Sequence, residues 1–133
     1  MTASSLMGID LGRSSVKVIV AEAGGTILGS GTASYPTSQP YPRHAEQDPA
    51  GWWRATVVAT RAALTSAESA DIAAIGVTGQ MHGAVLLETD GTPLAPAIIW
   101  SDGRSASEVA AMTAEIGAAR VLDLTGSALA PGF

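Results

Sequence analysis

Three segments near the start of the chain are separated by connections short enough to be tight turns. They are Leu6–Asp10, an apolar run ending in an acid, then Ser15–Ala21 and Thr26–Ser34. Ser15–Ala21 is rich in β-branched residues, which favour strands. Gly12 suits a tight turn after the first segment, and Gly24-Gly25 is typical of a hairpin. The sequence therefore predicts a three-stranded meander over this region.

A helix is predicted to follow. Asp48-Pro49 favours a helix start, because Asp is a good N-cap and Pro suits the first helical position. Trp53, Val57 and Leu64 then fall on one face at spacings of four and seven. This spacing predicts a helix to about Ser66.

The second half of the chain contains shorter elements. Strands are predicted at Ile72–Val77, Ala84–Leu87 and Ala97–Trp100. Ser105 and Glu108 form a capping box for a second helix that ends near Gly117. Its apolar face is predicted to contain Val109, Met112 and Ile116. The order β-β-β-α-β, a small β insertion and α favours an α/β fold in which helices pack on a mixed sheet.

Other segments are predicted to lack regular structure. Pro36–Pro49 holds four prolines and is predicted to be a loop. Trp52 and Trp53 are interpreted as packing residues of the first helix. Leu122–Phe133 shows no helix or strand pattern, and we expect it to belong to a chain cut partway.

Composition excludes several function classes. Apolar residues make up 47% of the 133 residues, charged residues 14%, and the net charge is −5. A single lysine, Lys17, argues against nucleic-acid binding, which requires clustered cations. The absence of cysteine excludes disulfides and thiolate metal sites. No segment has the length of a membrane helix or the basic start of a signal peptide, so we expect a cytoplasmic protein.

Asp10 stands at the end of a predicted strand, before a glycine turn. A carboxylate beside turn amides can hold a magnesium–phosphate unit, the acid facing the hydrated metal and the amides facing phosphate oxygens. The chain has no Gly-Lys-Ser/Thr segment, so this is not a P-loop. The alternative is an ordinary hairpin in which Asp10 caps its own turn.

Gly79–Gly83 brackets Gln80, Met81 and His82 between two glycines after an apolar run. Gln and neutral His each carry a donor and an acceptor, which suits polyol hydroxyls. Met81 offers an apolar face for a carbon chain. The alternative is a surface loop with an incidental histidine.

Trp100, Asp102 and Arg104 follow a predicted strand. An aromatic face with a nearby carboxylate and guanidinium suits a sugar, the ring against C–H groups and the ions on hydroxyls. The alternative places Trp100 in the core and Asp102 in a turn.

Together these segments resemble the N-terminal part of the FGGY carbohydrate kinases, and within them the xylulokinases. The matching segments, in order, are Gly8–Gly12, Glu46–Pro49 with Trp52-Trp53, Gly79–Gly83, Pro96–Arg104, and Thr125-Gly126 with Pro131–Phe133. The resemblance implies an actin-like (ribonuclease-H-like) fold with two such domains around a cleft. Residues 1–133 would then be the N-terminal domain, apparently truncated, with the C-terminal domain absent.

The resemblance also implies a reaction and a set of residues. ATP and Mg²⁺ would phosphorylate the 5-hydroxyl of D-xylulose. Asp10 would be important for activity, binding Mg²⁺ through water, while the general base would be an Asp beyond residue 133. The implied sugar-side residues are Gln80, Met81, His82, Trp100, Asp102 and Arg104. The implied ATP-side residues are Gly12, Arg13, Ser14 and Ser15.

Two departures and several alternatives remain open. Arg13 replaces a small hydroxyl residue common in the family, and Ser101 stands where Asn is common. The same family phosphorylates ribulose, glycerol, gluconate and fuculose, and a catalytically silent actin-like regulatory domain is a further hypothesis. A homodimer is left open, and residues 1–133 alone are expected to be inactive.

Overall fold

The structure, a computed structural model, describes residues 4–68 and 70–132. The elements in chain order are β1 Ser5–Leu11, β2 Ser15–Glu22, β3 Ile27–Ser34, β4 Glu46–Gln47, α1 Pro49–Ser66, β5 Ile72–Gly79, β6 Ala97–Ile98, α2 Ala106–Ile116 and α3 Ala118–Thr125. The chain divides into a first unit, Met1–Pro36 with Asp48–Gln80, and a second unit, Thr37–Gln47 with Met81–Phe133.

The first unit contains the predicted meander. β1 pairs antiparallel with β2, and β2 pairs antiparallel with β3. β5 then pairs parallel with β1, which gives the sheet order β3-β2-β1-β5. A parallel pair needs a long crossover, and α1 lies in that crossover. The predicted mixed sheet with helix packing is therefore confirmed.

The predicted start and end of α1 are also confirmed. Asp48 is the N-cap, and its Oδ1 accepts the Ala50 N–H at 2.9 Å. Pro49 occupies the first turn, where its missing N–H has no cost. The helix ends at Ser66, and the Ala67 N–H still donates to the Ala63 carbonyl at 3.0 Å.

The face of α1 that packs on the sheet differs from the prediction. The buried helix residues are Ala55, Ala59 and Ala63, whereas Trp53 is 70% exposed and Leu64 38%. A packing role was predicted for both tryptophans. Trp52 does pack against the core, whereas the prediction for Trp53 is wrong.

Two glycines of β3 explain why alanines form this interface. A Cβ at Gly31 would overlap the carbonyl oxygen of Ala59, and one at Gly29 would overlap that of Ala63. The helix backbone thus lies directly on the strand, leaving room only for small side chains. Several larger apolar residues of α1, namely Trp53, Val58 and Leu64, are exposed instead.

The second unit combines short pairings with two helices. β4, inside the segment predicted to be a loop, pairs antiparallel with β6. The strand predicted at Ala84–Leu87 is wrong, because this segment makes only isolated bridges to Ile98 and Pro93.

The helices of the second unit also depart from the prediction. Ser105 is the N-cap of α2 but makes no side-chain capping bond. No described residue of α2 is buried: on its predicted apolar face, Met112 and Ile116 are exposed and Val109 is half-buried. Helix α3 was not predicted. Val121 is its buried residue. Among the described helices, none is long and apolar enough to cross a membrane.

Candidate functional site

Three hydrogen bonds stabilise the turn between β1 and β2. The Gly12 N–H donates to the Ser15 carbonyl at 3.0 Å, and the Gln80 N–H donates to the Leu11 carbonyl at 2.8 Å. The Tyr35 hydroxyl donates to the Gly12 carbonyl. The turn that follows Asp10 is therefore fixed by side-chain and backbone contacts of the first unit.

Tyr35 contacts this turn from the segment after β3, and sequence reasoning missed it. Burial raises its pKa first, and the negative charge of Asp10 raises it further. Its N–H also donates to the Ser14 carbonyl at 3.1 Å. The available signal was an aromatic residue directly after the third predicted strand and before Pro36.

Asp10 lines an open pocket on one face of the sheet. The pocket has a volume of about 570 Å³, and its lining includes Asp10, Lys17 and Thr78. Asp10 is paired in register with Lys17 on β2 and with Thr78 on β5. Lys17, which composition singled out only as the lone lysine, thus shares a pocket with the predicted acid.

The chemistry of this donor set fits a Mg²⁺–phosphate unit. Asp10 is an exposed carboxylate, and Mg²⁺ prefers oxygen ligands while keeping several waters. Arg13 and Ser14 are exposed at the turn, and Ser15 begins β2 half-buried. Among the described residues, no group of three or more His, Cys, Asp or Glu side chains is placed so that it could hold a metal ion.

The second unit brings three of the predicted sugar-side residues into one pocket. This pocket, hereafter the His82 pocket, has a volume of about 330 Å³ and includes His82, Asp102 and Arg104 in its lining. Ser105 and Gly132 also line it and were not predicted. A Cβ at Gly132 would overlap the carbonyl oxygen of Trp100, so only glycine allows this close approach.

His82 has an unusual backbone conformation. Its φ of 56° lies in the left-handed region, which costs a non-glycine residue about 1–2 kcal/mol. The chain is thus bent directly after Met81, and the imidazole stands at the pocket. Such strain concentrates at functional positions.

Asp102 is buried, with 3% of its surface exposed, and its carboxylate is fully engaged. One oxygen, Oδ1, accepts the Arg104 backbone N–H and Nε–H, both at 2.9 Å. The other, Oδ2, accepts the Ala45 N–H at 2.6 Å and Arg104 Nη2–H at 2.8 Å. The Arg104 bond lowers the Asp102 pKa against the opposing effect of burial.

Glu46 completes the network from a strand far away in sequence. Its Oε1 accepts Arg104 Nη2–H at 2.6 Å and lies 4.0 Å from His44 Nδ1. The bonds from Asp102 and then Glu46 raise the Arg104 pKa. The sequence placed Glu46 only in a loop near a helix cap, since nothing local couples it to Arg104.

The remaining predicted residues have separate positions. Gln80 belongs to the first unit, while Met81 begins the stretch of the second unit that contains His82. Met81 is 72% exposed and Trp100 42%, so neither is a buried core residue. Neither Met81 nor Trp100 is among the described residues that line the His82 pocket.

Comparisons with known proteins show which family the chain resembles. The model of the FGGY family of carbohydrate kinases, N-terminal domain, matches residues 5–133. The xylulose kinase of Escherichia coli K12 is 42% identical over 127 residues, which are 96% of this chain and 26% of that protein.

Solved structures give the same result. The xyloylose kinase of Brucella ovis is 38% identical with a TM-score of 0.86, covering 97% of this chain and 27% of that one. The xylulose kinase of Rhodospirillum rubrum is 33% identical with a TM-score of 0.84, covering 89% of this chain and 25% of that one. The fold is thus that of the actin-like sugar kinases, and the chain spans about a quarter of the length of these relatives. It belongs to the FGGY family of carbohydrate kinases.

Proposed function

We propose that the full-length protein transfers the γ-phosphoryl group of ATP to the 5-hydroxyl of D-xylulose, with Mg²⁺. Residues 1–133 supply the sugar-binding wall and part of the phosphate site. The observation that supports this most directly is the His82 pocket, which gathers an imidazole and a guanidinium around about 330 Å³. This volume lies at the small end of the range for ligand pockets, about 300–1,000 Å³.

The sugar is proposed to bind through complementary polar and apolar groups. His82 and Arg104 offer hydrogen bonds to hydroxyls, and the exposed faces of Met81 and Trp100 offer contact with C–H groups. The proposed sugar contact of Asp102 is constrained, since its oxygens already accept four hydrogen bonds. A contact of Gln80 remains part of the proposal.

The phosphate side is proposed to lie in the first unit. Asp10 would hold the hydrated Mg²⁺, and Gly12, Arg13, Ser14 and Ser15 would face phosphate oxygens. When bound, Mg²⁺ neutralises charge that develops on the transferred group. The turn bonds to Gly12 and the Tyr35 hydroxyl would keep the Asp10 carboxylate in a defined position without a large rearrangement.

The general base is proposed to come from a second domain outside residues 1–133. Asp102 is unsuited to this role, because Arg104 keeps its pKa low and its oxygens are occupied. Phosphoryl transfer depends mainly on positioning and charge neutralisation, so the two units described here would bind without activating the hydroxyl.

A substrate panel tests the proposal. The full-length protein would be assayed with ATP and D-xylulose, ribulose, glycerol, gluconate or fuculose. We expect the largest kcat/KM for D-xylulose, and His82→Ala should raise the sugar KM far more than the ATP KM. A higher kcat/KM for another sugar would reassign the substrate, and an absence of sugar-stimulated ATP hydrolysis would support a silent regulatory domain.

A further inference from the structure

We infer that Glu46 is a positioning residue of the His82 pocket, acting through Arg104 without touching the sugar. The inference rests on the proposed function, because it assumes that Arg104 contacts the sugar. It assigns a role to a residue on β4 that lies 58 positions from Arg104 in sequence.

The argument begins with the donors of the Arg104 guanidinium. An arginine has five N–H donors in a planar fork. Nε–H and one Nη2–H meet Asp102, and the second Nη2–H meets Glu46. Three donors are thus used by carboxylates, which leaves the two Nη1–H donors for a hydroxyl.

The two carboxylates have different effects on the guanidinium. Asp102 is two residues away in sequence and accepts hydrogen bonds from Nε and Nη2 of Arg104. This local contact restricts how far the Arg104 side chain can extend. Glu46 binds the same Nη2 from another strand at 2.6 Å. A planar group held at Nε and twice at Nη2 cannot rotate about its axis, so the plane in which Nη1 lies is fixed.

The position of Glu46 is itself well defined. Its strand, β4, pairs with β6, which ends two residues before Trp100. The neighbouring Ala45 is tied to Asp102 through its N–H and to the Ile99 N–H through its carbonyl at 3.1 Å. The Glu46 side chain is 18% exposed, so the bond to Arg104 is shielded from water and stronger than a surface pair.

The consequence is a specific pattern in binding. Loss of the Glu46 charge should leave Arg104 in the pocket and bound to Asp102, but it weakens the second contact at Nη2, so the Nη1 donors are oriented less firmly. The sugar would then lose an oriented partner, while ATP, proposed to bind the first unit, would not. This differs from a merely structural role, which would lower stability without separating the two KM values.

A double-mutant cycle in the full-length protein tests the inference. Glu46→Gln keeps the shape of the side chain and removes its charge, and we expect it to raise the D-xylulose KM roughly fivefold with the ATP KM unchanged. In an Arg104→Met background the same Glu46→Gln change should alter the sugar KM less than about twofold, because its mediator is gone. Asp123→Asn is the matched control, since Asp123 pairs with Arg120 at 2.8 Å on the exposed surface of α3.

Calorimetric titration of D-xylulose without ATP gives a second readout. Penalties of Glu46→Gln that are equal in the two backgrounds would show independent action and overturn the inference while leaving the kinase function intact. A wild-type protein that neither binds nor phosphorylates any sugar of the panel would overturn the proposed function and the inference together. If Glu46→Gln raises the dissociation constant for D-xylulose when Arg104 is present but not in the Arg104→Met background, the result would support both.

Discussion

Arg104 donates two side-chain hydrogen bonds to the carboxylate of Asp102, from Nε to Oδ1 at 2.9 Å and from Nη2 to Oδ2 at 2.8 Å. Two-point arginine–carboxylate contacts are among the strongest polar contacts in proteins. Because Asp102 also accepts the Ala45 N–H, this ion pair joins the Pro-rich segment to the strand end that carries Trp100.

Asp102→Asn should loosen the Pro-rich segment locally. The amide removes the charge and cannot accept all four bonds, which leaves the Ala45 N–H poorly paired. We expect protection of the Ala45 amide against hydrogen exchange to fall at least roughly tenfold in the full-length protein. Asp123→Asn should leave that amide unchanged, and equal protection in both variants would show that Asp102 is dispensable for this segment.

The same carboxylate predicts a pH dependence of stability. The folded-state pKa of Asp102 is lowered, so its contribution is present above the ordinary carboxyl pKa of about 3.9 and is lost as pH falls through the lower folded value. The Tm difference between wild type and Asp102→Asn should therefore be constant near neutral pH and narrow below about pH 4. A difference that widens on acidification would contradict the assignment. Thermal melts from pH 7 to pH 3 measure it.

His82 allows a comparison between two small substitutions. Glycine tolerates a φ of 56° and alanine does not, so His82→Gly should be about 1 kcal/mol more stable than His82→Ala. In most positions the order is reversed. Both variants should raise the sugar KM to a similar degree, because both lack the imidazole. Greater stability of the alanine variant would show that the left-handed conformation is not retained.

Gly31 tests the close packing of α1 on β3. A Cβ there would overlap the Ala59 carbonyl oxygen and lie 2.9 Å from the Ala62 Cβ. Gly31→Ala should lower the free energy of unfolding by about 2 kcal/mol or more, as overpacking does. Gly24→Ala is the control, because a Cβ at Gly24 meets nothing within 4 Å. Similar denaturation midpoints for the two variants would refute the close contact.

Asp10 separates chemistry from binding. Asp10→Ala in the full-length protein should lose most of kcat, since the proposed Mg²⁺ contact acts on the transferred phosphoryl group. Calorimetry should show little change in the dissociation constant for the sugar. Turnover close to that of wild type would mean that Asp10 is only a turn residue.

Local signals in the sequence were enough to predict the elements that depend on near neighbours. The meander follows from short turns, and the start of α1 follows from Asp48 and Pro49, whose effects reach only a few residues. The turn predicted after Asp10 is present in the structure, and Asp10 itself lies within β1. In each case the deciding contact spans a handful of positions.

Tertiary structure decided the rest, because the deciding groups are distant in sequence. The inward face of α1 is set by glycines on β3, because the lack of a side chain there allows the helix backbone to lie close to the strand. Alanines therefore face the sheet, whereas periodicity favoured a face with Trp53 and Leu64. The bond from Arg104 to Glu46 spans 58 positions, and no local pattern couples the two residues. The sequence by itself determined which residues carry polar chemistry and placed Asp102 two positions from Arg104. The fold decided that Glu46 also holds Arg104, since only the pairing of β4 with β6 brings these distant residues together.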